Sequence, residues 1–227
     1  MNRKIDLVVF DMAGTTVNED NVVYKILQKT INEAGYNVSL DFVLKHGAGK
    51  EKHQAIKDVI AELKTTEEPK YSSEELFKKF KSHLDEAYIS LIVKPCNGVE
   101  FLFPILRKAG IKIALNTGYN RAVAITLLEK LEWKSGIHYD TLVTASDVKQ
   151  GRPNPDMIHK AMKELNVDNY QKVLKAGDSI IDIEEGQNAL CGITVGVTTG
   201  AHSRAQLESA NPTYVLDSLL ELKDFLV

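Results

Sequence analysis

An α/β fold, built as a parallel-sheet core interrupted early by a helical insertion, is what this sequence predicts, and three observations carry the expectation. Leu7-Val8-Val9-Phe10 is an unbroken apolar run ending in a carboxylate and a Gly-Thr turn, as expected of a strand buried on both faces of a parallel sheet. From about Val22 to Leu91 the apolar residues recur at helical spacing with hardly any strand signal. From Pro95 onward short apolar strands alternate with helices, the mark of a parallel sheet with crossover helices. Taken together they divide the chain into a core over 1–17 and 94–227 and a helical module over 18–93.

Each element follows from local pattern. Met1 to Phe10 reads as the first strand. In the insertion, Val22, Val23, Ile26, Leu27, Ile31 and Ala34 form one helical face that stops near Gly35, and a connection holding Ser39 to Gly49 follows. A second helix over about Lys50 to Leu63 repeats Ile56, Val59, Ile60 and Leu63, and a polar loop over Thr65 to Ser73 contains Pro69. Ser73-Glu74-Glu75-Leu76 starts a third helix that continues through Phe80, Leu84 and Tyr88. In the core, strands are expected at Ile111–Leu115, Thr141–Thr144, Val173–Ala176, Ile193–Val197 and Tyr214–Leu216. Helices end at Gly110 and span Arg121–Leu131, Asp156–Leu165 and Asp182–Leu190, with one more closing the chain.

Composition narrows the class. With 44% hydrophobic and 26% charged residues the chain has an ordinary globular balance, which excludes disordered and fibrous classes. The net charge of −3 and scattered basic residues give no nucleic-acid footprint, leaving small or acidic substrates open. Cys96 and Cys191 lack a CxxC or His-rich context, so neither zinc nor a disulfide scaffold is expected, and a reducing cytoplasm fits. No leader pattern and no membrane-length apolar run are read.

The chemistry gathers at strand ends, where parallel sheets bind their ligands. Asp11 ends the first strand. Asn116-Thr117-Gly118 ends the next with a hydroxyl and a glycine, donors suited to an anionic oxygen, although the triplet alone is also an ordinary turn. Gly151-Arg152-Pro153-Asn154-Pro155 holds an arginine between stiffening prolines, suited to phosphate, or else a plain surface arginine. Asp178 and Asp182, four apart across a strand end and a helix start, can join Asp11 on a hard cation such as Mg2+, and Asp182 can equally be a helix N-cap. As one site, these residues have the logic of phosphoryl transfer: a carboxylate attacks phosphorus to form an aspartyl-phosphate while cationic and hydroxyl groups stabilise the oxygens.

That order and spacing resemble the haloacid dehalogenase (HAD) superfamily, with its Asp-x-x-Gly-Thr, Thr-Gly, basic and Gly-Asp-x-x-x-Asp motifs. The resemblance implies a Rossmann-like core, an α-helical cap over 18–93, and magnesium at Asp11, the Ala13 carbonyl, Asp178 and Asp182. Ala13 stands where the superfamily usually has an aspartate that protonates the leaving alkoxide, a loss that typically costs about 10²–10⁴-fold. The run Asp11-Met12-Ala13-Gly14-Thr15-Thr16-Val17 is similar to that of phosphonoacetaldehyde hydrolases (phosphonatases), which share the alanine and have arginine at the Arg152 position. In that subgroup a cap lysine forms a Schiff base with the substrate aldehyde, within Gly-x-x-Lys-x-x-His. Gly47-Ala48-Gly49-Lys50-Glu51-Lys52-His53 reproduces this pattern, which implies Lys50 as the imine former and His53 as a proton-transfer partner; Tyr119 matches as well. Lys50 is expected near the positive end of a helix, which favours the neutral amine.

The expected activity is therefore C–P bond hydrolysis of phosphonoacetaldehyde or a related 2-oxo-phosphonate. The alternative is a Mg-dependent phosphatase of small phosphate esters, similar to phosphoglycolate phosphatase. The expected partner is that small-molecule substrate, with no nucleic acid or membrane, and the resemblance suggests a homodimer. His46 and the segment from Asn18 to Asn21 depart from the phosphonatase pattern.

Overall fold

The computed structural model describes residues 5–63 and 70–227. The first four residues of the expected first strand and most of the expected Thr65–Ser73 loop, Pro69 included, lie outside the described residues. Six parallel strands form one sheet in the order β5-β4-β1-β6-β7-β8: β1 (Leu7–Asp11), β4 (Lys112–Thr117), β5 (Thr141–Thr144), β6 (Val173–Gly177), β7 (Ile193–Val197) and β8 (Tyr214–Leu216). The fold is the α/β architecture that the alternation of apolar strands and helices predicts.

β1 sits at the centre because every residue in it is buried. Leu7 and Val9 pack on one side with Met157, Ile158 and Ala161 of α7 (Asp156–Glu164), while Val8 and Phe10 pack on the other with Leu102, Phe103 and Leu106 of α5 (Val99–Lys108). Burying such side chains contributes roughly 1.5–3 kcal/mol each, so alternate residues of one apolar run hold both layers to the sheet. The flanking helices α6 (Arg121–Lys130), α8 (Ile180–Asn188), α9 (Arg204–Ser209) and α10 (Lys223–Leu226) complete the core. The six-residue α9, capped by Ser203, is too short for the sequence to show a periodic face.

Among the described residues, four helices, one more than the periodicity predicts, lie between β2 (Val17–Asn18) and its antiparallel partner β3 (Lys94–Pro95): α1 (Val22–Glu33), α2 (Leu40–Gly47), α3 (Lys52–Glu62) and α4 (Ser73–Ser90). The extra one is α2, expected as a connection. Its eight residues show too short a pattern, yet the Ser39 side chain accepts from Phe42 N–H and Val43 and Leu44 are buried, enough to hold two turns. The α3 start also differs. Glu51 caps it by accepting from Gln54 N–H, so Lys50 lies just outside the helix and Lys52 is its first residue. Glu75 and Ser72 close a capping box on α4. No described helix is long and apolar enough to cross a membrane.

Candidate active site

Parallel register brings the sheet-end residues together. Asp11 pairs with Asn116 and Thr117 with Thr144, which sets the carboxylate beside the hydroxyl at the carboxyl edge. Asp11, Asp178 and Asp182 each offer a carboxylate oxygen within 4.8 Å of the others, all buried. Asp178 is held by the Ala201 N–H at 2.6 Å and Asp182 by the Ser179 hydroxyl at 2.5 Å. Asp182 is not the N-cap of its helix, since Ser179 holds that position, and its carboxylate faces the cluster. Arg152 is buried rather than at the surface, and its guanidinium donates to Asp11 at 2.7 Å, to Asn116 Oδ1 at 2.6 Å and to Glu185 at 3.0 Å, with Asp182 at 2.9 Å.

Two members of this cluster carry no motif signal. Lys175 and Glu185 are fully buried: Lys175 donates to Asn116 Oδ1 at 2.8 Å and faces Asp182 at 2.9 Å, while Glu185 accepts two bonds from the Asn116 amide at 2.9 Å. The signal that could have revealed them is a lysine inside an apolar strand, since a charge there must be paired. Burial and the neighbouring carboxylates Asp11 and Asp182 push Asp178 well above the usual carboxylate range. Burial also raises Asp182, but Arg152 and Lys175 outweigh it and leave that carboxyl below its ordinary value.

The residues fit magnesium. Within the cluster, four buried carboxyl groups (Asp11, Asp178, Asp182, Glu185) face two buried cations (Arg152, Lys175); with all four ionised the excess is two negative charges, which a divalent cation balances, relieving the repulsion that raises Asp178. The donors are all oxygen, as a hard cation requires.

Above this edge lies the loop joining α2 and α3. It comes down onto the core so closely that a Cβ on Gly118 would sit 2.8 Å from Gly49 O and 3.0 Å from Lys50 O. Gly49 itself has φ +72° and abuts Ile181 and Ser179. The Gly49 N–H donates to Tyr24 Oη at 2.9 Å.

The structure does not bring Lys50 and His53 to the carboxylates. Lys50, which the resemblance puts at the substrate, turns to an ion pair with Asp58, eight residues on and about two helix turns away, because it precedes the helix and lies along its flank. His53 stacks on Phe77 of α4, centroids 4.9 Å apart, and pairs with the Ser73 hydroxyl at 3.2 Å. The amine that faces inward is Lys52. It is buried, donates to Lys50 O at 2.8 Å and Tyr24 Oη at 3.2 Å, and lies 4.6 Å and 5.1 Å from the ring centroids of Tyr24 and Tyr119. Burial pulls its amine down to about 8, against the opposing pull of Asp11.

Tyr119 lies beside the loop with its ring near Lys52, and its N–H donates to Thr117 Oγ1 at 3.2 Å. Its hydroxyl donates to Glu19 Oε1 at 3.4 Å. Glu19, 1% exposed, leaves Oε2 without a hydrogen-bond partner, and burial lifts its carboxyl to about 7. The one sequence hint of Glu19 is that it lies in the Asn18–Asn21 segment that departs from the phosphonatase pattern.

Comparison with known proteins agrees with this geometry. The family model for haloacid dehalogenase-like hydrolases matches residues 8–198. A phosphonoacetaldehyde hydrolase from Bacillus mycoides is 33% identical over 212 residues, covering 87% of this chain and 77% of that protein. Among solved structures, a phosphonoacetaldehyde hydrolase-like protein from Oleispira antarctica superposes with a TM-score of 0.83 at 24% identity, over 98% of this chain and 91% of that one. A predicted phosphoglycolate phosphatase from Haemophilus somnus superposes with a TM-score of 0.80 at 18% identity, over the whole of both chains. The chain belongs to the haloacid dehalogenase-like hydrolase family and, within it, to the branch similar to phosphonoacetaldehyde hydrolase.

Proposed function

We propose that this hydrolase cleaves the C–P bond of phosphonoacetaldehyde or a related 2-oxo-phosphonate, with the helical insertion acting as a cap over the carboxylates. The observation that carries the reading is the coincidence of Ala13, which has no proton to give, with a buried lysine amine, Lys52, held over the same site. Asp11 is the nucleophile, held in place by Arg152, and Thr117 and the backbone at Gly118 hold the phosphonyl oxygens. Bound by Asp11, the Ala13 carbonyl, Asp178 and Asp182, magnesium supplies electrostatic stabilisation of the charge that develops on those oxygens.

Lys52 condenses with the substrate carbonyl and releases water. As Asp11 attacks phosphorus, the C–P electron pair moves into the iminium and leaves an enamine. Protonation at carbon and hydrolysis return the aldehyde and the free amine, while water releases phosphate from Asp11. An electron sink on the cap removes the need for an acid at position 13. Lys52, at the first position of α3 and with its amine lowered by burial, meets the requirement for a nucleophilic amine better than the ion-paired Lys50.

Borohydride reduction in the presence of phosphonoacetaldehyde tests this. Wild type and Lys50→Ala should be labelled at Lys52, and Lys52→Ala should not; absence of label, or label at Lys50, overturns the assignment. A second reading, a phosphatase of small phosphate esters, is favoured by the hydrogen bonds that Lys52 Nζ gives to Lys50 O and Tyr24 Oη, which suit an ammonium held to bind an anionic leaving group. Phosphate released with an aldehyde selects C–P cleavage, and phosphate released with an alcohol selects the phosphatase.

A further inference from the structure

A cavity of about 360 Å³ adjoins the site on the side of Lys52 and Tyr119, between the inserted helices and α6. Lys52, Gly118 and Tyr119, which also border the site, line it. Its walls are mainly apolar, with Phe77, Phe80 and Leu84 from α4 and Val123 from α6, while Glu51, Lys81 and Asp85 also border it. Phe77 and Phe80 stack with centroids 6.2 Å apart, and His53 backs Phe77, so that wall is built of packed rings. Such a volume is at the lower end of those that hold drug-sized ligands, about 300–1,000 Å³. The two-carbon body of phosphonoacetaldehyde displaces on the order of two or three waters at about 30 Å³ each, leaving most of the chamber unfilled.

We propose that the substrate is a 2-oxoalkylphosphonate bearing an apolar alkyl or aryl substituent on its carbonyl carbon, and that this chamber holds the substituent. The proposal rests on the C–P reading. With phosphorus at Asp11 and the carbonyl carbon at Lys52, the remaining valence of that carbon points past the amine into the chamber. The reaction is RC(=O)CH2PO3²⁻ plus water giving RC(=O)CH3 plus HPO4²⁻. The C–P bond breaks, its electron pair ends in a C–H bond with a proton from water, and the remaining hydroxyl goes to phosphorus. No oxidant or reductant is consumed.

The test compares phosphonoacetaldehyde with 2-oxopropyl-, 2-oxohexyl- and 2-oxo-2-phenylethylphosphonate, reading phosphate and the carbonyl product. The kcat/KM should rise at least tenfold from the aldehyde to the hexyl or phenyl ketone, since each well-buried methylene discriminates by about 10-fold or more. Filling the chamber by Leu84→Trp, or from the opposite wall by Val123→Trp, should lower the ketone-to-aldehyde ratio of kcat/KM by tenfold or more. The ratio is internal to each variant, so partial loss of folded protein does not move it. Phosphonoacetaldehyde as the best substrate of the panel, or a ratio unchanged in both variants, overturns this proposal while leaving C–P cleavage standing. If no phosphonate is turned over and phosphate esters are, the C–P reading falls and this proposal with it.

Discussion

The carboxylates at the sheet edge and the loop above them are held by different physics. Asp11, Asn116 and Thr117 stand where they do because parallel pairing leaves no freedom: a shift of one residue would turn each to the opposite face of the sheet. The loop over 48–51 has no such ladder and depends on a hydrogen bond from Gly49 to Tyr24 and on contact with Gly118, Ile181 and Ser179. Register fixes the lower half of the site, and packing with a few hydrogen bonds aims the upper half. The sharpest way to break this contrast is at the lower half. Asp11→Asn should abolish turnover, a loss on the order of the 10⁶-fold seen where a nucleophile is removed. Beryllofluoride with magnesium should form an aspartyl-phosphate mimic on wild type and not on the variant. Residual turnover within tenfold of wild type would remove Asp11 from the nucleophile role.

The second test asks whether the lower half is as over-determined as its geometry indicates. Glu185 has no solvent contact and pairs with Arg152, Lys175 and Asn116 at once. Removing it leaves two cations buried with a depleted set of partners. Glu185→Ala should therefore lose about 3–5 kcal/mol in urea unfolding, the usual cost of breaking a buried ion pair from one side. A loss under 1 kcal/mol would mean that the network adjusts freely.

The same contrast explains what was legible in the sequence. Asp11, Thr117, Arg152, Asp178 and Asp182 were readable because strand ends converge and a motif's spacing along a strand becomes a position in space. Lys175 and Glu185 belong to no motif: a lysine inside an apolar strand hints at a buried, paired charge, but nothing local in the helix that carries Glu185 names it as the partner. In the insertion, the Gly-x-x-Lys-x-x-His spacing marked Lys50, yet whether residue 50 or 52 faces inward depends on which residue caps α3. Glu51 does so, and the cap turns Lys50 toward Asp58 and Lys52 toward the tyrosines. The α2 helix was missed for a related reason, since two turns are too few for a period to emerge.

The upper half can be probed through pH. Burial raises the Glu19 carboxyl from 4.5 to about 7, so between those values the unfolded chain has lost a proton that the folded chain keeps. Stability from this group is full below pH 4.5 and is lost as pH rises through about 7, on the order of 3 kcal/mol in all. Lys52 works in the opposite sense at higher pH: its amine is lowered from 10.5 to about 8, so its contribution is present above 10.5 and lost as pH falls through about 8. The stability of Glu19→Gln relative to wild type should therefore increase from pH 5 to pH 7.5, measured by urea unfolding at each pH. A difference independent of pH would show that Glu19 is not the group titrating there.

The smallest expected effect is the most selective for the loop. Gly49 has φ +72°, and a methyl group on it would overlap the Ile181 side chain and come within 2.6 Å of Ser179 Oγ. Gly49→Ala should thus lift the loop and carry Lys52 away from the carboxylates. A misplacement of about 1 Å costs about 10²-fold in rate, and kcat/KM should fall by that order. The comparison is Gly110→Ala, at φ +76° with open space around it and just before the amino-terminal end of β4, the end opposite the site. Both substitutions force an alanine into the left-handed region at a cost of about 1–2 kcal/mol, so both should lower thermal stability, Gly49→Ala by more because of its contact with Ile181. Only Gly49→Ala should lower kcat/KM, because only there does the added methyl meet the surface on which the loop closes. Equal losses of activity in the two variants would trace the effect to backbone strain and make the approach of the loop to Ile181 incidental.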